Sequence, residues 1–287
     1  MTLPYYLGCP QWQHPRWKTQ LPSGYAPLEA YSQVFNTVEG NTTFYATPTQ
    51  AQCEQWRAQV PDTFRFLFKL PKSITHDALL RDGTRHAQQF LRQLEPLHEV
   101  MGPLLLQLSA RFGPEHLDDL WRLLDEMDLA EKACIEVRHP SFFAKGEEEK
   151  ALNQGIRDRG LARVCFDSRG LFAAKAEDES TKEAQRKKPQ VPVHILPSEA
   201  DPVVRFIGHP QCEMNDSFLL PWAKRFAQWI GEGKRPYLFL HMPDNGEALN
   251  LVRRWQPLLE SALGYGIDHS LPEAPRKEPS STQQDLF

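Results

Sequence analysis

Several things this chain lacks narrow its fold and function. It has only five cysteines, at positions 9, 53, 134, 165 and 212, an odd and scattered set with no Cys-x-x-Cys pair. A thiolate zinc site and a disulfide framework are therefore not expected, which suits a reducing compartment. No stretch reaches the roughly 18 to 20 apolar residues that a membrane span requires. The opening Met1-Thr2-Leu3-Pro4-Tyr5-Tyr6 has neither a basic segment nor a long apolar one, so no secretory signal is expected and a cytoplasmic location is. Charge of one sign is not in excess: 33 Lys and Arg stand against 37 Asp and Glu, a net charge of −4 that excludes a global basic field for nucleic acid. A glycine-rich dinucleotide turn is missing too, since the first apolar run passes into Gly8-Cys9-Pro10-Gln11-Trp12.

What is present is an alternating pattern. Short apolar runs lie at 5–9, 35–39, 64–69, 103–108, 133–137, 162–167, 203–207 and 237–241, each bounded by Pro, Gly or charged residues, as buried strands are. Helical spacing fills many of the gaps, at 84–99, 115–127 (Leu117, Leu120, Trp121, Leu124), 216–231 and 246–262, and Thr47-Pro48-Thr49 reads as a helix start with Pro near its first position. Crossovers of this length force parallel pairing, and eight strand–helix units predict an α/β fold, a closed (β/α)8 TIM-like barrel. Two regions break the rhythm. Some 35 residues separate the sixth and seventh runs, a long insert that carries Arg186-Lys187-Lys188-Pro189. The C-terminal segment is rich in Pro, Ser and charge and reads as a disordered tail, giving one barrel domain over 1–266 and a tail over 267–287.

A TIM-type barrel carries its chemistry at the C-terminal ends of its strands. Here those ends offer Glu39, Lys69, Gln107, Glu136, Arg138, Asp167, Arg205 and His241, with Trp12 and Asn41 in the first two loops. Glu39, Glu136, Asp167 and His241 are the candidate catalytic acids, bases and proton carriers. Lys69, Arg138 and Arg205 are candidate clamps for a phosphate or carboxylate, with Asn41, Trp12 and Gln107 as further substrate-binding candidates. A second reading is structural: Glu136 paired with Arg138 or Arg205, and Lys69 with Glu39, would satisfy buried charges. The cations beside the carboxylates argue against a bound metal, and no cofactor is expected. Trp12, Trp17, Phe44, Tyr45 and Trp56 could stack on a base or sugar or simply cap the barrel. Cys9 and Cys165 lie beside strand ends but lack a base partner, and His139-Pro140 reads as a turn. The basic run 186–188 reads as a solvated stretch or as a lid closing on an anion.

The same residues carry a resemblance. Gly8-Cys9-Pro10-Gln11-Trp12 with His14-Pro15 and Trp17, Phe35 to Tyr45, Lys69-Leu70-Pro71-Lys72-Ser73-Ile74-Thr75-His76, Glu136 to Phe143, Asp167-Ser168-Arg169 and Tyr237 to His241 together resemble the YecE-like family, a domain of unknown function, over residues 5–262. The resemblance implies a TIM-like barrel and no established activity, cofactor or catalytic residue. The opening departs from the Thr-Ser-Gly-Trp-like run of many members, so small hydroxyl donors are missing there. The C-terminal Gln283-Gln284-Asp285-Leu286-Phe287 resembles a bacterial sliding-clamp binding peptide, in which Gln283 would hydrogen-bond while Leu286 and Phe287 enter an apolar groove, with Gln283, Asp285, Leu286 and Phe287 as partner-binding candidates; an inert tail is the other reading. Three functional readings follow. The first is an enzyme, hydrolase or lyase/isomerase, acting on a small anionic, nucleotide-like or otherwise phosphate- or carboxylate-bearing substrate. The second is a non-catalytic nucleotide or nucleic-acid binding module tethered to the clamp. The third is a clamp-recruited DNA hydrolase.

Overall fold

The computed structural model describes residues 3–268. Among these the strands are β1 (Tyr6–Gly8), β2 (Thr37–Gly40), β3 (Arg65–Phe68), β4 (Leu104–Gln107), β5 (Ala133–Glu136), β6 (Ala162–Arg163), β7 (Cys165–Asp167), β8 (Val203–Ile207) and β9 (Tyr237–His241). Segments β6 and β7 are two halves of the expected sixth strand, which pairs with β5 in its first half and with β8 in its second. All pairings are parallel, and they run in chain order around a TIM-like barrel as three sheets, β2-β3, β4-β5-β6 and β7-β8-β9-β1. The seam between β3 and β4 is spanned by isolated bridges Phe66–Met101 and Lys69–Leu105.

Side chains close the seam between β1 and β2. Asn36 accepts from the Leu7 amide (2.7 Å) and donates to the Tyr5 carbonyl (2.8 Å). The Tyr31 hydroxyl accepts from the Cys9 amide (2.7 Å) and donates to the Thr37 carbonyl (2.9 Å). The Glu39 amide then donates directly to the Cys9 carbonyl at 3.1 Å. Gly8 is required there by close approach, because a Cβ at this position would stand 2.3 Å from the Thr37 carbonyl oxygen.

Ten α-helices lie among the described residues: α1 (Pro27–Ser32), α2 (Thr42–Tyr45), α3 (Gln50–Ala58), α4 (Thr84–Gln93), α5 (Leu117–Glu126), α6 (Glu147–Asp158), α7 (Arg169–Ala173), α8 (Glu179–Lys187), α9 (Asp216–Gly231) and α10 (Ala248–Leu263). The expected start at Thr47-Pro48-Thr49 shifts slightly. Thr49 is the N-cap of α3 and forms a capping box with Gln52, so Pro48 precedes the cap instead of opening the helix. The expected helix at 84–99 is shorter and divides at Leu94 into α4 and a 3-10 turn over Glu95–Val100. The long insert holds two helices, α7 and α8, followed by an extended passage. Gln185 ties α8 back to the carbonyls of Leu171 and Ala174, both at 3.0 Å.

Strand alternation splits the core into two zones. Outward residues such as Val38, Phe66, Leu106, Ile135, Phe206 and Leu240 pack against Phe90, Leu120, Phe226 and Trp255 of the helices. Inward residues Leu67, Leu105, Cys134, Val164, Val203 and Phe239 form a separate apolar plug in the barrel. Ile267 is buried as well, with its amide on Glu260 at 3.0 Å, so packing extends one residue past the expected barrel boundary. Within the described residues no helix is long and apolar enough to cross a membrane. The peptide Gln283–Phe287 lies outside the described residues.

Tyr31→Phe tests the side-chain seam. It keeps the ring and removes the hydroxyl, leaving one buried amide and weakening one buried carbonyl. We expect a loss of about 1–3 kcal/mol in urea unfolding; an unchanged midpoint would mean that the β1–β2 contact does not depend on this bridge.

Candidate functional site

Two residues beyond the apolar plug, in the direction of the strand C-termini, the same inward face carries Lys69, Gln107, Glu136, Phe166, Arg205 and His241, with Glu39 from β2 beside them. The period of two that fills the barrel with hydrocarbon below therefore fills it with polar and charged groups above. Arg205 sits at the centre. Its Nε and Nη2 form a fork on the two Glu39 oxygens (2.7 and 2.9 Å), and its Nη1 bonds to Glu136 Oε2. Lys69 Nζ bonds to Glu39 Oε1 (2.8 Å) and to Gln107 Oε1 (3.0 Å). Arg138 donates from Nε and Nη2 to Glu136 Oε1 at 2.9 and 2.7 Å. His241 Nε2 lies 3.0 Å from Glu39 Oε2. An ionised carboxylate can only accept, so Nε2 carries the hydrogen and Nδ1 is the ring's acceptor. Phe166 lies under both guanidinium groups, 5.3 Å from Arg205 and 5.9 Å from Arg138.

The charges set one another. Burial works against an ionised Glu39, but Arg205, Lys69 and His241 outweigh it and hold the carboxyl well below the usual range. Burial likewise opposes the Glu136 carboxylate, and Arg205, Arg138 and Lys69 bring it down to about 2. Burial lowers Lys69 to about 8, with Arg205 adding to the effect and Glu39 resisting it. Burial lowers His241 to about 3, so its imidazole is neutral at pH 7. The two carboxyl groups are therefore not driven apart into an acid and a base. Both are held ionised, because each faces more than one cation.

Above this layer opens a cavity of about 600 Å³, walled by Trp12, Asn41, Phe44 and Tyr45 on one side and by Lys187 and Lys188 on the other, with Glu39, Lys69, Gln107, Arg138 and His241 below. Asn41 is held by a bond from its Nδ2 to the Pro10 carbonyl (2.7 Å), and Trp12 meets Trp56 edge to face at 5.3 Å. Tyr45 is 80% exposed at the rim, whereas Trp17 is the buried cap, bonded to the carbonyls of Asn245 and Gly246. A somewhat larger hollow, about 750 Å³, lies at the opposite, N-terminal end of the strands, lined by residues such as Met101, Leu104 and Ala133, away from these charges.

The structure separates Asp167 from the group. Phe166 takes the inward position of its strand, so Asp167 points outward, where Trp222 Nε1 of α9 bonds to it at 2.7 Å and Arg169 grips both its oxygens (2.9 and 2.8 Å). It does not line the cavity. Counting two residues on from Val164 reaches Phe166, and that register was readable in the sequence. Cys9 and Cys165 are also set aside as nucleophiles: burial pushes both thiols up, Cys165 to about 12. His139 shapes a turn as expected, accepting from the Ser141 amide at 3.3 Å.

Two ionisable residues with shifted pKa values, His76 and Lys188, belong to the mouth although they are outside the candidate set. His76 lines it and meets Phe44 edge to face; burial and then Arg138 lower its pKa to about 4. Lys188 follows the last turn of α8, and burial together with Arg205 and Lys69 brings its ammonium down to about 7. The basic run 186–188 gave only a general signal for it, because sequence cannot say which of three adjacent cations line a cavity and which are already paired.

Acid should weaken this layer. Glu136 titrates at about 2 in the folded chain against an ordinary value of 4.5, so its contribution is present above 4.5 and disappears as the pH falls through 2. The urea midpoint is expected to drop across that window. Glu136→Gln should already be about 3–5 kcal/mol less stable at pH 7, since it leaves Arg138 and Arg205 short of a partner, and should lose less on acidification. Equal acid slopes for the two proteins would refute this assignment.

Comparison with known proteins agrees with this architecture. The family model described as "Protein of unknown function DUF72" matches residues 6–276. The UPF0759 protein YecE of Escherichia coli K12 is 43% identical over 269 residues, covering 93% of this chain and 97% of that one, and the protein of the same name from Escherichia coli O157:H7 matches equally. Among solved structures, a DUF72 family protein from Thermotoga maritima MSB8 superposes with a TM-score of 0.63 at 22% identity, covering 89% of this chain and 99% of that one. A DUF72 family protein from Enterococcus faecalis V583 gives 0.61 at 16% identity, covering 95% and 100%. With the family model matching residues 6–276 and relatives 43% identical over 93% of the chain, this chain belongs to the DUF72 (UPF0759, YecE-like) family.

Proposed function

We propose that this protein is an enzyme acting on a small substrate that carries a phosphate or carboxylate group, held at the C-terminal mouth of the barrel. The observation that carries the reading is the surplus of positive charge on the cavity floor and wall. Lys69, Arg138 and Arg205 face only two carboxylates there, and Lys188 adds a further cation without a partner among the described residues. Both Glu39 oxygens already accept two bonds each, from Arg205 and Lys69 on one and from Arg205 and His241 on the other. The uncompensated charge sits in a walled hollow where solvent screening is reduced, which favours an anionic group. Glu39 and Glu136 position the cations in this scheme, His241 stays a neutral imidazole bonded to Glu39, and the amine of Lys188, lowered to about 7, is the group suited to proton transfer near pH 7. Phe44, Tyr45 and Trp12 offer flat surface for the remainder of the substrate, which is compatible with a nucleotide-like molecule.

Isothermal titration with inorganic phosphate, pyrophosphate and a panel of phosphorylated metabolites tests the reading. Saturable binding is expected, and Arg138→Ala should weaken it roughly tenfold or more, the worth of one charge-assisted contact. Asp167→Asn should bind as tightly as the parent while being less stable. If no member of the panel binds, the proposal fails. The clamp-peptide reading of Gln283–Phe287 is a separate proposal motivated by sequence alone. Deleting those five residues should abolish binding to a bacterial sliding clamp, and equal affinity with and without them would remove it.

A further inference from the structure

Among the described residues, four lysines are associated with the barrel mouth or its rim, and only one has an uncommitted side chain. Lys69 is bound to Glu39 and Gln107. Lys72 faces Asp77 at 3.5 Å, and Lys187 is paired with Glu183. Lys188 lines the cavity with no carboxylate or hydrogen-bond partner for its Nζ among the described residues, and the carboxylates below it are occupied by other cations. Its backbone is fixed on both sides. The Lys188 amide donates to the Ala184 carbonyl at 2.9 Å, and the next residue, Pro189, accepts from the Ser168 hydroxyl at 2.9 Å. The backbone that carries the amine is thus anchored beside the hollow by a helix end and a proline.

We propose that Lys188 is a nucleophilic amine that forms an imine with the carbonyl carbon of an aldehyde or ketone substrate whose anionic group is held by Arg138 and Lys69. The inference rests on the anion-binding reading above and names the chemistry at that site. The Nζ lone pair attacks the carbonyl carbon, and the carbon–oxygen π pair moves to oxygen. A proton passes from nitrogen to that oxygen through solvent, and the hydroxyl group leaves as water after taking up a second proton. One water is released and nothing is oxidised or reduced. The crowding of cations supports the step, because burial beside Arg205 and Lys69 leaves much of the Lys188 population as free amine at pH 7. Lys69 remains largely an ammonium at that pH and keeps its structural bonds. A protonated imine draws electrons from the neighbouring carbon, so this chemistry points to a lyase or isomerase rather than a hydrolase.

Reductive trapping decides the matter. The full chain is incubated separately with pyruvate, dihydroxyacetone phosphate and pyridoxal 5′-phosphate, reduced with borohydride, and the modified peptides are identified by mass spectrometry. The expected result is one dominant adduct at Lys188, suppressed by millimolar inorganic phosphate. In Lys188→Arg the adduct should disappear, while the unfolding midpoint stays at the parent value, so the loss reads the amine and not the fold. Adducts confined to exposed lysines such as Lys18 and Lys150, or no adduct from any probe, would overturn the imine; if phosphate still binds in titration, the anion-binding reading survives that result. An adduct at Lys188 that phosphate does not suppress, in a protein that binds no phosphate, would support the nucleophile and overturn the anion-holding role.

Discussion

The guanidinium of Arg205 binds residues from three separate parts of the barrel into one unit. From β8 it reaches Glu39 on β2 with a two-bond fork and Glu136 on β5 with its remaining nitrogen. Removing a buried guanidinium from water carries a large desolvation cost, which is offset only when every donor meets an acceptor of opposite charge. Here burial lowers the stability of the charged form, yet Glu136 and Glu39 raise the Arg205 pKa above its ordinary value. The rest of the upper layer follows. The two carboxylates stay ionised because of Arg205, and they in turn hold Lys69, Arg138 and His241 in place.

This arrangement separates stability from chemistry. The apolar plug below the layer and the helix-facing core outside it provide the hydrophobic burial that a barrel of this size depends on. The charged layer adds little net stability by that measure and instead fixes cations at the floor of an open hollow. Such preorganisation is what an anion-binding site needs, because its dipoles and charges do not have to move when a ligand arrives. The insert completes the hollow. Gln185 bonds to the carbonyls of Leu171 and Ala174, and Pro189 accepts from Ser168, so the insert brings Lys188 over the floor.

The strand set and its candidate side chains were readable from the chain because buried parallel strands announce themselves as short apolar runs, and strand ends in such barrels gather polar groups. The pairing of Glu39 with Lys69 and that of Glu136 with Arg138 or Arg205 also followed from charge satisfaction, and the structure makes both of the latter contacts. Asp167 shows the limit of reading by position alone: it ends its strand, but the alternation of faces sends it to Trp222 and gives the inward place to Phe166. The insert was legible as a length and a basic run, not as two helices, because a short polar helix such as α8 has few apolar residues to mark its period.

The linear sequence determined the family, the alternating architecture and the supply of charged residues at the strand ends, since each of these is carried by local pattern. Tertiary structure alone decided which charges meet, that both glutamates remain ionised, and that Lys187 and Lys188 line the mouth, with Lys187 paired to Glu183. Those outcomes depend on distances between residues up to 202 positions apart, as in the contact of His241 with Glu39. Electrostatic strength is set by separation in space and by exclusion of water, and neither is encoded at any single position along the chain.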